Sequence, residues 1–386
     1  MFIRRRFFSI IGRAMNGTQQ YETEVLKVNP STIIINDEKK SIEFTNSETK
    51  KAIETAASLL RSSQVVGFPT ETVYGLGASS LSSDAVTKIY EAKNRPADNP
   101  LISHISSVDM IKNVFKTEVP EIYNPLISKF WPGPLSIILP VSDDCPVSPV
   151  VTAGQNTFAV RMPENKIARA LIQVSNLPLA APSANASTRP SPTKAEHVLH
   201  DLNGRIPLIL DGGLCDVGLE STVVDGTVDP PMLLRPGGVS LEEIRKLGHG
   251  WENIVLGKKT AGQYEKVRTP GMKYKHYSPT ARVILFENFD KLESAIDTYL
   301  KNSTITSNTK IAVLTTKHWD TSGGGNLVIP LGKEGEEIQR NLFAALRDAD
   351  AQEVDLIFVE GVDEGEQGLA IMNRLSKAAS DIISNK

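Results

Sequence analysis

At 386 residues the chain exceeds one ordinary domain, and a hydrophobic content of 40% is enough to pack more than one core. A formal net charge of −3 and an aromatic content of 6% argue against a general nucleic-acid binder or a platform of many stacking rings. The two cysteines, Cys145 and Cys215, form no CxxC pair or zinc spacing, and no apolar run reaches the ~20 residues of a membrane span.

From the N-terminus, Arg4, Arg5, Arg6 and Arg13 alternate with apolar residues, and no acid precedes Glu22. Residues 1–20 therefore read as a mitochondrial targeting leader, with Met15 as a second start that drops it. A cytoplasmic protein with a second, mitochondrial pool is the expectation. Residues 24–36 look extended, around the β-branched run at 32–35. A helix follows over 47–61, capped by Ser47, with Ala52, Ala56, Leu59 and Leu60 at helical spacing. A buried strand at 65–68 closes at Pro69, and a helix spans 83–93. Further strands are expected at 101–105, 135–140, 158–161, 208–210, 222–224 and 232–234. Helices are expected near 107–115, 121–130, 164–174, 194–201 and 240–246. This alternation predicts an α/β domain with a mixed sheet over residues 21–250.

Residues 251–280 have no clear period. They carry Lys258, Lys259, Lys266, Arg268, Lys273 and Lys275 against Glu252 and Glu265, between two acidic blocks. They read as a basic linker, and a bound polyanion would account for the charge. From 281 to 386 a second alternation runs. It comprises a strand at 283–286, a helix at 290–301, and strands at 311–314 and 327–329 on either side of Gly323, Gly324 and Gly325. A helix at 334–350, a strand at 354–359 and a helix at 367–382 complete a small Rossmann-like domain.

Several common devices are missing from the sequence. There is no GxxxxGK[ST], HExxH or GxSxG, and Ser80 stands where a dinucleotide fingerprint opening at Gly75 and Gly77 needs its third glycine. His197 and His200, three apart on a helix, lack a ligand cluster and read as surface or partly packed, so no protein metal site is expected.

Four polar clusters stand at the ends of expected strands, where α/β ligands usually sit. In 69–77, hydroxyls of Thr70 and Thr72 would share one side of an extended segment, and two glycines allow close backbone approach. Lys93 and Arg95 would diverge by about 200° on a helix. Pro96 disfavours helix at Arg95, so the chain turns and both cations can point one way. A triphosphate suits such a pair, and so does a plain helix C-terminus. Arg161, in an apolar strand after Thr157, needs an anion, either a substrate carboxylate or a structural Asp or Glu. Ser183 and Asn185 face one side of an extended segment. Thr193 and Glu196 fit a capping box whose helix N-terminus, near Ser191, could seat a phosphate. Ser221 and Arg235 add a hydroxyl and a cation.

Together these stretches resemble, in order, the YrdC-type threonylcarbamoyl-AMP synthase family in its longer form. The matching stretches are Pro-Thr-Glu-Thr-Val-Tyr-Gly-Leu-Gly, Lys-x-Arg-Pro with Asn-Pro-Leu, Trp-Pro-Gly-Pro-Leu, Val-Arg-Met-Pro, Ala-Pro-Ser-Ala-Asn and Glu-Ser-Thr-Val-Val-Asp. The connector Pro-Gly-Met…His-Tyr-Ser-Pro and the Rossmann-like C-terminal domain also match. The resemblance implies a twisted α/β sheet with a concave substrate face. It implies ATP contacts from Lys93, Arg95, Thr157, Ser183, Asn185, Ser191, Arg235 and Tyr277, with Lys93 and Arg95 central to catalysis. It implies L-threonine contacts from Thr70, Thr72, His104, Arg161, Ala181 and Ser221, Ala181 through its backbone alone. The implied reaction joins L-threonine, bicarbonate or CO2, and ATP, with Mg2+ on the triphosphate. Its products are threonylcarbamoyl-AMP, destined for a separate tRNA transferase complex, and pyrophosphate. Lys273, Lys275, His276 and Tyr277 are expected to fold over the ATP as a lid. A double-stranded RNA or tRNA-binding module without adenylation activity is the rival, and weak direct tRNA contact is compatible with either. A carbamoyl transferase of the hydrogenase-maturation type would need zinc-finger and acylphosphatase-like segments, which are absent.

Overall fold

The computed structural model describes residues 21–257, 276–301, 306, 308–319 and 327–385. The leader, Lys273 and Lys275 of the connector, and Gly323, Gly324 and Gly325 lie outside the described residues. Among the described residues no helix is long and apolar enough to cross a membrane.

The expected mixed sheet is present and large. Its eleven strands among the described residues run in the spatial order Glu24–Lys27, Leu208–Asp211, Val66–Phe68, Gly75–Ser79, Leu179–Ala180, Ile102–His104, Thr157–Arg161, Leu135–Pro140, Thr222–Asp225, Met232–Arg235 and Val255–Leu256. Ile102–His104 and Thr157–Arg161 are parallel, with His104 opposite Arg161, so both side chains emerge at the same end. The helix Ser47–Arg61 packs Ala52, Ile53, Ala56, Ala57 and Leu60 onto one face together with Lys166–Ser175; Ser83–Lys93 contributes to the core on the opposite side.

Several elements depart from expectation. The stretch 24–36 is not one strand: a 3-10 turn, Pro30–Thr32, breaks it, and Ile33–Asn36 turns back against Ser41–Phe44 as a separate hairpin. The cap of the first helix is Asn46, whose side chain accepts from Thr49 N, while Ser47 is already helical. Gly75–Ser79 is a strand that was not among those expected. It is built from small residues because a Cβ at Gly77 would stand 2.6 Å from the Phe68 ring. The edge strand Val255–Leu256 and buried Trp251 carry the first-domain sheet into the stretch read as linker.

The second domain is a five-stranded parallel sheet in the order Leu327–Pro330, Ile311–Thr315, Leu356–Glu360, Arg282–Glu287 and Asp381–Ser384. Leu292–Leu300 covers one face; Gly335–Ala351 and Gly368–Ala378 cover the other. The last helix stops at Ala378 rather than 382. Ala379 turns to extended backbone, and Ile382 and Ile383 enter a β-strand, which suits their branched side chains.

Candidate active site

One cavity lies at the strand ends of the first domain. Its lining includes Thr70, Thr72, Lys93, Arg95, His104, Arg161, Ala181, Ser183, Asn185, Ser191, Ser221, Arg235 and Tyr277. Of the residues assigned by resemblance, Thr157 alone stands outside it. Thr157 begins the strand that Arg161 ends, and four residues of strand put about 13 Å between them.

At one end, Arg161 is 2% exposed. Its Nη1 donates to Thr72 Oγ1 at 2.9 Å and lies 3.6 Å from Glu71 Oε1. Thr70 Oγ1 donates to Val73 O at 2.7 Å, so the 2.7 Å contact between the two threonine hydroxyls has Thr72 as donor. A single polarised chain thus runs from the guanidinium through Thr72 and Thr70 to the backbone. Residues 71–73 form a bend, not the extended segment expected, yet the Thr70 and Thr72 hydroxyls still converge. Of the two anions open to Arg161, the structural one is present as Glu71, and the guanidinium also faces the cavity. His104 Nδ1 sits 3.2 Å from Ile102 O and 3.3 Å from Leu179 O. Carbonyls only accept, so Nδ1 carries the proton and Nε2 is the acceptor. Burial, reinforced by the Arg161 charge, pulls this imidazole down to about 3, so it is neutral at physiological pH.

At the other end, Lys93 is not on an exposed turn, as its sequence position suggests, but 2% exposed. Its Nζ donates to Ser183 O at 2.5 Å and to Asn185 O at 2.6 Å, stapling the Ser183–Asn185 loop to the helix C-terminus. The helix ends because Asn94 adopts a left-handed conformation (φ 51°) and Arg95 N reaches back to Tyr90 O; Pro96 is not needed to stop it. Burial, then the Arg95 charge, lowers the Lys93 amine well below its ordinary value. Lys93→Met is therefore expected to cost about 2 kcal/mol of stability, because two buried carbonyls lose their donor. A thermal melt unchanged by the substitution would contradict the staple.

The expected capping box does not form. The helix Ala195–Leu202 has Lys194 as its N-cap with no side-chain bond, Glu196 pairs with Lys194, and Thr193 N donates to His197 Nδ1. His197 is accordingly buried, while the side chain of His200 is exposed. Ser191 instead donates to Glu220 Oε1 at 2.6 Å, so its proton is committed to a carboxylate. Arg235 donates through Nε and Nη2 to Ser221 O at 3.0 and 2.9 Å, and Ser221 Oγ lies 2.8 Å from Ser136 Oγ. Burial lowers Arg235 to about 10, which leaves it charged.

Glu220, Ser187, Thr188 and Arg189 also line the cavity and were not among the expected contact residues. Glu220 is the lone carboxylate among these lining residues. Burial would raise it, but Arg374 and Arg235 outweigh that and hold it at about 2. Of the residues expected as a lid, His276 and Tyr277 line the cavity. Tyr277 sits at a positive φ of 64° and packs on Phe343 of the second domain at 5.1 Å, while Ser278 N donates to Thr188 O. Burial, then the Glu220 charge, pushes the Tyr277 phenol up to about 12.

The family model described as "Telomere recombination", for Sua5, YciO and YrdC proteins, matches residues 58–237. The model described as "Threonylcarbamoyl-AMP synthase, C-terminal domain" matches residues 239–380. The threonylcarbamoyl-AMP synthase of Schizosaccharomyces pombe is 54% identical over 365 residues, covering 86% of this chain and 90% of that one. The Pyrococcus abyssi synthase is 47% identical, covering 90% and 98%. A crystal structure of P. abyssi Sua5 complexed with L-threonine matches with a TM-score of 0.80 at 42% identity, covering 94% of this chain and 100% of that chain.

Proposed function

The chain belongs to the threonylcarbamoyl-AMP synthase family, and on that premise we propose that its cavity combines L-threonine, bicarbonate or CO2, and ATP into L-threonylcarbamoyl-AMP and pyrophosphate. The observation that carries this reading is the meeting, in one hollow, of a buried arginine flanked by threonine hydroxyls with a separate group of cations and hydroxyls.

In this reading Arg161, with Thr72 and Thr70 behind it, receives the threonine carboxylate. The neutral Nε2 of His104 accepts a hydrogen bond, and Ala181 and Ser221 border the amino acid. Arg95, Arg235 and Tyr277 face the nucleotide, with Lys93 holding the Ser183–Asn185 loop in place. The threonine amine bonds to the carbon of CO2 and loses a proton, giving a carbamate; starting from bicarbonate, one water is released as well. A carbamate oxygen then attacks the α-phosphorus, the bond from that phosphorus to the β-phosphate oxygen breaks, and pyrophosphate leaves. No protein atom bonds to substrate, so the protein contributes proximity and charge neutralisation. The residues present do not offer Mg2+ a protein cage. Glu220 is the carboxylate at the cavity wall, and its two oxygens are engaged by Ser191 and Arg374. Any Mg2+ is read as arriving on the triphosphate. The product would supply a transferase that places the threonylcarbamoyl group on the adenosine beside the tRNA anticodon.

The RNA-binding reading is disfavoured because Lys93, Arg161 and Arg235 are buried and cannot track a duplex backbone. The test is pyrophosphate release from ATP and bicarbonate with and without L-threonine. Threonine-dependent release, with a labelled threonylcarbamoyl-adenylate as product, is expected. Release that ignores threonine would overturn the proposal.

A further inference from the structure

The second domain reaches into the wall of the cavity. From the helix Gly368–Ala378, Arg374 is 0% exposed and donates through Nε to Glu220 Oε2 at 2.8 Å, across 154 positions of sequence. Its guanidinium carbon also stands 5.6 Å from the centre of the Tyr277 ring. The loop that leads into Glu220 is gripped by the same domain. Arg340 Nε donates to Asp216 O at 2.8 Å, and Leu219 is buried in the second domain's core. Gly218 lies so close to the Arg340 backbone that a Cβ there would meet it at 2.5 Å. Next to Ser191, Arg347 of the second domain holds Pro190 O and Asp201.

A carboxylate at this place is unfavourable twice over. It must lose its water, and it stands among Ser191, Arg235 and Tyr277, where the proposed reaction brings a triphosphate. Arg235 contributes to offsetting it, with two of its hydrogen bonds placed on the Ser221 carbonyl rather than on the carboxylate. The group that closes the charge balance is Arg374, which engages the oxygen that Ser191 leaves open.

We propose that Arg374 is a positioning residue for the nucleotide half of the cavity: by neutralising Glu220 and fixing its carboxylate on Ser191, it keeps that half positive, so the C-terminal domain is part of the ATP site. This rests on the function proposed above. Removing Arg374 leaves a buried, unpaired negative charge facing the phosphates, and removing that charge as well should relieve the repulsion.

The experiment is steady-state pyrophosphate release by the full chain, with ATP and L-threonine varied separately, for wild type, Arg374→Met, Glu220→Gln and the double variant. Arg374→Met should raise KM for ATP on the order of tenfold or more, with KM for threonine changing much less. The double variant should recover most of the loss in ATP KM. A residue that only held the fold would instead lower the melting temperature and raise both KM values together, with no recovery in the double variant; that pattern overturns the proposal. Should Arg374→Met be insoluble, Arg374→Lys carries the same test. Retained charge should keep KM for ATP within a few-fold of wild type, and a full tenfold loss there refutes charge compensation. If wild type shows no threonine-dependent release, the underlying functional reading fails first, whatever the variants do.

Discussion

Arg161→Ala is expected to lower the efficiency of threonine use by on the order of 100-fold and, separately, to cost about 3–5 kcal/mol of stability. The two losses have different origins. The stability loss comes from Glu71, 2% exposed, whose Oε1 has no hydrogen-bond donor and has Arg161 as its counter-charge at 3.6 Å. Without the guanidinium a buried carboxylate stands uncompensated. The kinetic loss comes from the cavity side, where a planar fork held by Thr72 is replaced by a methyl group. Arg161→Lys should recover some stability and little threonine affinity, because an ammonium is a point charge and cannot reproduce the fork. Arg161→Met combined with Glu71→Gln should separate the effects, with the melting temperature returning and turnover remaining low. A threonine KM within a few-fold of wild type in Arg161→Ala would remove the arginine from the amino-acid site.

How much of this site could be read from the chain depends on how local each cause is. The strand ending at Arg161 is legible because its apolar run stops at a polar residue, and its parallel register with Ile102–His104 then aligns the two strand ends. The strand Gly75–Ser79 is hidden because its residues are small and show no period. What requires them is the Phe68 ring and the Ala181 side chain, which leave no room for larger groups. Lys93 looks like a solvated residue at the end of a helix because its burial is imposed by a loop 90 residues later. Thr193 and Glu196 have the right spacing for a capping box, but the His197 ring accepts the Thr193 N–H instead. Glu220 is the hardest case. A single carboxylate in a strand-end motif gives no sign of its partner, because that partner sits on a helix of another domain. Local chemistry thus finds the cations and hydroxyls that face the ligand, whereas the groups that hold those residues in place come from distant segments.

Gly237→Ala puts that last distinction to a severe test, since it adds one methyl group and removes no functional atom. Gly237 follows the strand Met232–Arg235 in a Pro-Gly-Gly turn, and its φ lies outside the left-handed region, so the alanine backbone itself is unstrained. The difficulty is space. A Cβ would stand 2.2 Å from Glu220 O, 2.4 Å from Ser221 C and 2.5 Å from Thr222 N, all backbone atoms that cannot rotate away. Thr222 is fixed in turn by its N–H to Pro134 O and its hydroxyl to Val239 O. Relief must therefore shift Glu220 and Ser221, which hold Ser191, Arg374 and Arg235. The expected cost is about 3 kcal/mol in stability, together with a raised KM for ATP. Gly154 provides the control. It has a positive φ of 69° but nothing within 4 Å of its Cβ position, so Gly154→Ala should cost about 1 kcal/mol from backbone strain and leave ATP use unchanged. Thermal melts and ATP titrations on the two variants decide the matter, and the reverse order of effects would mean that the tight backbone packing behind the cavity does not control the site.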